Sequence, residues 1–239
     1  MAINLEKINL QKEQVIDLKK KAGIGSRSQA QVVLALDFSG SMSTLYNNGT
    51  VQKTVERILP FGLAFDDNGE VDTYLFENRY NKVKQSVTLE NAENYVNDKI
   101  LGKYEMGGTN YAPVLNAIYD DFKPSKSGGL FGLGSTEQPM EYPVYIIFIT
   151  DGDNFDKPET ESVIKKMSEK GFFIQFIGIG NAGFSFLEKL DDMGGRKLDN
   201  VNFFNVNNLN SFSDEALYQG LMSEYPEWYK QARNLNLIK

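Results

Sequence analysis

From Gln31 onward the chain alternates between short, unbroken apolar runs and longer amphipathic stretches. "QVVLALDF" (31–38) is apolar at consecutive positions rather than at every second one, which predicts a strand buried on both faces of a parallel sheet. "YPVYIIFITDGD" (142–153) and "GFFIQFIGIG" (171–180) read the same way, and "VNFFNV" (201–206) as a last strand. "VDTYLFEN" (71–78) and "NKVKQSVTL" (81–89), separated by a polar turn around Asn78 to Tyr80, predict a hairpin. Between these runs the apolar spacing is helical. Val51, Val55, Ile58, Leu59 and Leu63 share one face of "TVQKTVERILPFGLAF", in which Pro60 is expected to kink or break the helix. "ENAENYVNDKIL" (90–101) predicts a short helix. A further helix should begin at Thr109 or Asn110, its face marked by Tyr111, Val114, Leu115, Ile118, Tyr119 and Phe122. Asp156 and Glu159 form a capping pair around Pro158 for a helix carrying Val163, Ile164 and Met167. "FSFLEKLDDM" (184–193) predicts a helix closed by Gly194 and Gly195, and the tail, with Leu217, Leu221, Trp228 and Leu235, is expected to be helical and packed on the body.

Strands alternating with helices of this length predict an α/β fold: a doubly wound, mostly parallel six-stranded sheet with helices on both faces and right-handed crossovers. Three segments follow: an N-terminal arm over 1–29, the domain over 30–222 and a C-terminal helical tail over 223–239. The arm carries "INL" twice, too few copies for a repeat, then "LKKKAG" and the Ser-rich "IGSRSQ". In a doubly wound sheet, ligands collect at the carboxyl ends of the strands where the winding reverses. The loops after Asp37 and Asp151 lie at that edge, whereas the Gly-rich 125–139 segment precedes its strand and is expected at the opposite one.

Composition then narrows the chemistry. A net charge of −7 over 239 residues argues against an extended nucleic-acid surface. With no Cys there is no disulfide, thiolate site or thiol nucleophile, and with no His there is no Ser-His-Asp triad and no imidazole ligand. Any metal must be a hard one bound by oxygen. The N-terminal sequence mixes charge into every apolar run, so it predicts neither a signal peptide nor a membrane span, and the expected location is cytoplasmic.

"LALDFSGSMS" (34–43) ends a buried strand with an acid and hydroxyls at alternate positions, more oxygen than a turn needs. Two other loops supply what Asp37, Ser39 and Ser41 lack: Thr109 in "GGTNY" and Asp151 in "ITDGD". Two carboxylates and three hydroxyls from three loops suit Mg²⁺, with Mn²⁺ or Ca²⁺ accommodated by adjustment. Gly108, Asn110 and Asp153 flank these groups and are expected to orient them. If the acids act mainly through waters, the ion keeps unneutralised charge and an open position that a partner's carboxylate can fill.

In this pattern the chain resembles the von Willebrand factor type A (VWA) domains, whose metal-ion-dependent adhesion site (MIDAS) reads D-x-S-x-S, then Thr, then Asp. Asp37, Ser39, Ser41, Thr109 and Asp151 match in order, over about 31–221. The spellings "ALDFSGSM", "GGTNYAPVL" and "FITDGDN" are most similar to the intracellular branch of bacterial tellurium-resistance, TerF-type proteins, related to the copine A domain. The resemblance implies a binding module without enzymatic activity that captures an acidic group on a protein partner, in a tellurium-resistance or stress-response setting that could include other proteins of that system.

Three other patterns compete. "GIGNAG", with Gly178, Gly180 and Gly183, matches a dinucleotide fingerprint, but it follows a late strand instead of the first. An acid ending the first strand suits an Mg²⁺-dependent phosphate-processing hydrolase, yet Ser39 stands where that pattern has its second acid. "DGDNFD" suggests a separate Ca²⁺ loop through Asp151, Asp153 and Asp156, without the glycine and distal Glu of an EF-hand. Phe172, Phe173, Phe176, Phe203 and Phe204 are expected in the core, and Lys19 to Lys21 on solvated surface.

Overall fold

In a computed structural model that describes residues 5–66, 68–124, 138–180, 183–206 and 212–239, the apolar runs become strands β1 (Gln31–Asp37), β2 (Asp72–Phe76), β3 (Tyr80–Lys82), β4 (Val144–Thr150), β5 (Phe172–Ile179) and β6 (Val201–Val206). They form one sheet in the order β3-β2-β1-β4-β5-β6. Every neighbouring pair is parallel except the β2-β3 hairpin. β1, β4 and β5 are buried almost throughout, which is why their sequences are apolar without alternation.

The helices are α1 (Leu5–Lys21), α2 (Ser43–Asn47), α3 (Thr50–Phe65), α4 (Ala112–Phe122), α5 (Lys157–Ser168), α6 (Ser185–Asp191), α7 (Asp214–Leu221) and α8 (Tyr225–Asn234). Alternation along the strands divides the core into two layers. Tyr145 and Phe173 meet Phe61 and Phe65 of α3 and Tyr225 of α8 on one face. Phe148 and Phe176 meet Tyr111, just ahead of α4, and Phe172 stacks on Tyr119 of α4, on the other. Phe203 and Phe204 are only half-buried, being on the outermost strand of their side.

Helix α1 lies across α3 and α7, with Ile8 and Val15 in the same continuous core as the sheet. Asp214 at the start of α7 ties the three helices together, accepting from Gln11 (2.6 Å) and from Arg57 (2.8 Å). Lys19 is buried, not solvated as its basic run suggested. Its ammonium donates to the carbonyls of Ser28 (2.6 Å) and Ala64 (2.8 Å) and sits 4.3 Å from the Phe65 ring centroid, so it caps the C-terminal end of α3.

Four further expectations change. Helix α3 runs through Pro60 unbroken. Losing one amide there costs about 3 kcal/mol, and burial of every residue from Ile58 to Phe65 offsets it. The 90–101 segment is helical but not an α-helix: a 3-10 turn at Ala92–Asn94 leads into a wide π turn at Val96–Ile100. The Gln52 side chain braces this junction, donating to the Ala92 carbonyl (2.6 Å), which also accepts from the Tyr95 amide, and accepting from the Val96 amide (2.8 Å). Helix α4 starts at Ala112, not at Thr109 or Asn110. In the tail, Leu235 is exposed, and Leu237 and Ile238 dock in its place, where the Leu237 carbonyl accepts from the Met140 amide (2.9 Å). Residues 125–137 of the Gly-rich segment lie outside the described residues.

Candidate metal centre

The sheet reverses its winding between β1 and β4: β2 and β3 extend it one way, β5 and β6 the other. At the carboxyl ends of these two central strands stand Asp37 and Asp151. Asp37 is the last residue of β1 and has no exposed surface. Its Oδ1 accepts from the Ser39 amide (2.9 Å) and its Oδ2 from the Thr150 hydroxyl (2.6 Å), while Tyr46 donates to its main-chain carbonyl (3.0 Å). Burial pushes the Asp37 carboxyl up to about 6; the bonds from Ser39 and Thr150 act against that rise, and the Asp151 charge adds to it.

A chain of oxygens leads outward from there. Ser39 Oγ lies 3.0 Å from Ser41 Oγ, and Ser41 Oγ donates to Asp151 Oδ1 at 2.9 Å. Ser41 spends its proton on Asp151, while the Ser39 hydroxyl also bonds the Asp37 carboxyl, so the two serines link the two acids. Burial also raises the Asp151 carboxyl, against the hydrogen bond from Ser41. The two loops thus hold two carboxylates and two hydroxyls within hydrogen-bond contact of one another.

The Thr109 loop is fastened to both of them through main chain. Gly107 forms a parallel bridge with Ser39, its carbonyl accepting from the Gly40 amide (2.9 Å). The Thr109 carbonyl accepts from the Phe155 amide (3.0 Å), and Thr109 itself is buried. The two glycines before it let the Glu77 and Asn78 side chains approach the loop closely. A Cβ on Gly107 would lie 2.6 Å from Glu77 Oε2, and one on Gly108 2.4 Å from Asn78 Oδ1. Asn110 braces the same contact, donating from its amide to the Glu77 carbonyl (2.8 Å) and from its side chain to the Asn78 carbonyl (3.2 Å). Asp153 has turned away to an exposed ion pair with Lys157 (2.9 Å).

The Asp156 carboxylate performs a task that local sequence assigned to the wrong helix. It precedes α5 but makes no side-chain cap there. Its two oxygens instead accept from the first amides of α4, Tyr111 (2.9 Å) and Ala112 (2.7 Å), 45 and 44 residues earlier. An acid at these free N–H groups also meets the positive end of the helix dipole. Asn154 supports it, donating to Asp156 Oδ1 (2.6 Å) and Thr160 Oγ1 (2.9 Å). Residues 109–111 and 151–156 are therefore one braced unit. Among the described residues, no three acidic, His or Cys side chains are grouped to hold a metal, which removes the separate Ca²⁺ loop through Asp151, Asp153 and Asp156.

Sequence reasoning missed Thr150 and Tyr111 as parts of this unit. Tyr111 donates to the Gly152 carbonyl and lies 3.0 Å from Thr150 Oγ1, which in turn holds Asp37. Thr150 offered a weak signal as the one polar residue of an apolar strand. Tyr111 offered none, since it fits the apolar face of α4. The glycines of "GIGNAG" have local reasons: a Cβ on Gly178 would lie 2.8 Å from the Phe184 ring, and Gly180 has φ +90°.

A family model described as the VWA domain found at the TerF C terminus matches residues 29–238. The chain is 36% identical over 235 residues to YcbR, an uncharacterized protein of Bacillus subtilis (strain 168), covering 97% of this chain and 90% of the relative. Among solved structures it resembles the proximal thread matrix protein 1 of the mussel byssus (17% identity, TM-score 0.55, 82% of this chain and 47% of that one). It also resembles a von Willebrand factor type A protein from Catenulispora acidiphila (14% identity, TM-score 0.51, 84% of this chain and 42% of that one). The chain thus spans less than half the length of either solved protein, and these two likenesses concern the fold. Taken with the six-stranded sheet and the three converging loops, the match over 29–238 shows that the chain belongs to the TerF-like VWA family.

Proposed function

We propose that this chain is a divalent-cation-dependent protein-binding module, not an enzyme. The observation that carries the reading is the oxygen chain Ser39–Ser41–Asp151 above buried Asp37, with separations of 3.0 and 2.9 Å. Neighbouring ligands in an octahedral Mg²⁺ shell, with bonds of about 2.0–2.1 Å, lie about 2.9 Å apart. The hydroxyl protons here keep the oxygens together, at a separation compatible with such a shell. The hard-oxygen donor set suits Mg²⁺, with Mn²⁺ or Ca²⁺ accommodated by adjustment of the loops. Ser39, Ser41 and Asp151 would hold the ion, with Thr109 from the third loop and Asp37 acting from beneath. The ion would supply a Lewis-acidic position for an acidic side chain of a protein partner.

The hydrolase alternative is less well supported. Asp37 is fully buried and each of its oxygens already accepts a hydrogen bond, an arrangement that suits an orienting carboxylate better than an exposed nucleophile. Among the described residues no helix is long and apolar enough to cross a membrane. The family's occurrence at the TerF C terminus leads us to assign the module to a cytoplasmic tellurium-resistance or stress-response system, with other proteins of that system as candidate partners.

The test combines Mg²⁺ calorimetry with partner capture in Mg²⁺ or EDTA, for wild type, Asp37→Ala and Thr109→Ala. Asp37→Ala should abolish both activities; Thr109→Ala should weaken the ion moderately and the partner strongly. Metal-dependent turnover of a generic phosphate ester, lost in Asp37→Asn with metal binding retained, would reverse the assignment.

A further inference from the structure

Phe155 is the most exposed large apolar residue described, at 82%, against 63% for Leu10, the next. It does not lie on a loose loop. Its own amide donates to the Thr109 carbonyl at 3.0 Å. Asn154 before it is buried and bonded to Asp156 and Thr160, and Asp156 after it is bonded to the start of α4. Backbone is thus fixed on both sides while the ring stands in water. A ring that is 82% exposed buries little apolar surface and so adds little to the fold.

Its position is also specific. A Cβ on Gly108 would be 3.5 Å from Phe155 Cε2, so the ring lies beside the residue preceding Thr109, on one of the three loops of the candidate centre. The neighbouring acid does not compete for that surface, because Asp153 is paired with Lys157, whose ammonium also covers the Phe186 ring. The Thr109 loop and the loop after β4 therefore carry an apolar contact alongside the candidate ligands Thr109 and Asp151.

We infer that Phe155 determines partner specificity: the site takes a protein segment in which a bulky apolar side chain stands within four residues of the captured Asp or Glu. This rests on the metal-dependent capture proposed above. The acid would supply charge complementarity to the ion, and the apolar neighbour would cover the ring. That combination distinguishes one acidic segment from the many that a bare cation would accept equally.

The experiment pans random nonapeptides with a fixed central Glu, and a matched library with central Gln, against the full chain in Mg²⁺ and in EDTA. Wild type should enrich peptides from the Glu library alone, in Mg²⁺ alone, with Leu, Ile, Phe or Met at one preferred offset. Phe155→Ser should bind the selected peptide at least tenfold more weakly and lose the offset preference, with Mg²⁺ affinity by calorimetry within twofold of wild type. Phe155→Leu should retain most of the binding. Glu-dependent selection with no apolar preference, or equal binding by Phe155→Ser, overturns the role of Phe155 and leaves metal-dependent capture standing. Absence of any EDTA-sensitive preference for Glu over Gln overturns both.

Discussion

Thr150, the last residue of β4, donates its hydroxyl to Asp37, the last residue of β1, at 2.6 Å. The bond joins the two strands at the point where the sheet reverses its winding. It holds one oxygen of a buried carboxylate, while the Ser39 amide holds the other. Asp37 is therefore oriented before any ligand arrives, and its negative charge is kept in a place where burial opposes it.

That stored charge should appear as metal-dependent stability. At ten times the dissociation constant, Mg²⁺ or Mn²⁺ adds about 1.4 kcal/mol. For a chain of this size that corresponds to a rise in Tm of about 3–6 °C. Differential scanning calorimetry should show the rise in wild type and none in Asp37→Ala; an equal response in the two would exclude a functional site at this motif.

Without metal, Asp37 should make the fold less stable as pH rises. Its folded value of about 6 lies above the ordinary aspartate value of 3.8, so between these limits the native state keeps a proton that the unfolded chain releases. Stability contributed by the protonated form is complete below about 4 and lost by about 6.5, in total about 3 kcal/mol. Burial raises Asp191 and Glu224 as well, with the same sign, so the informative quantity is the difference from Asp37→Asn. Urea titrations in EDTA should find Asp37→Asn more stable than wild type at pH 7, with the gap closing near pH 4.

Asp156 touches none of the proposed ligands' side chains, yet its removal should weaken the ion. Asp156→Ala frees the Tyr111 and Ala112 amides and should cost about 1–2 kcal/mol of stability. Because the same residue locks the Thr109 loop to the Asp151 loop, Mg²⁺ affinity should fall severalfold. Asp156→Asn, which keeps one acceptor, should recover part of both. Unchanged affinity in a folded Asp156→Ala protein would show that the two loops are positioned independently.

Lys19 should matter to the seating of α1 and not to the metal. Lys19→Ala leaves a cavity and two carbonyls without their donor, a loss of about 2–4 kcal/mol. Limited proteolysis should then cut within α1 before the rest of the chain, while Mg²⁺ calorimetry matches wild type, because the Ala64 carbonyl it caps lies at the opposite edge of the sheet. Burial lowers the Lys19 ammonium to about 8, so the native state gives up this proton before the unfolded chain does. Between about 8 and 10.5 the lysine's contribution therefore makes wild type gain stability with pH relative to Lys19→Met.

The amino-acid sequence by itself marked six strand segments and a doubly wound sheet, although the second hairpin strand shrinks from 81–89 to Tyr80–Lys82, and it nominated Asp37, Ser39, Ser41, Thr109 and Asp151 as candidate ligands. A strand buried on both faces must be apolar at consecutive positions, and oxygen donors at spacing two are visible in a single loop. What it left open were the partners of side chains that reach another element. Asp156 precedes α5 but caps α4, and Lys19 sits in a basic run yet ends buried over Phe65. Gln175 interrupts an apolar strand because buried Asn202 of the next strand meets it, donating to Gln175 at 2.9 Å and to Ser223 at 2.7 Å. Periodicity records how much of an element is buried. The direction of a hydrogen bond depends on which other element approaches it, and only the assembled tertiary structure brings those elements together.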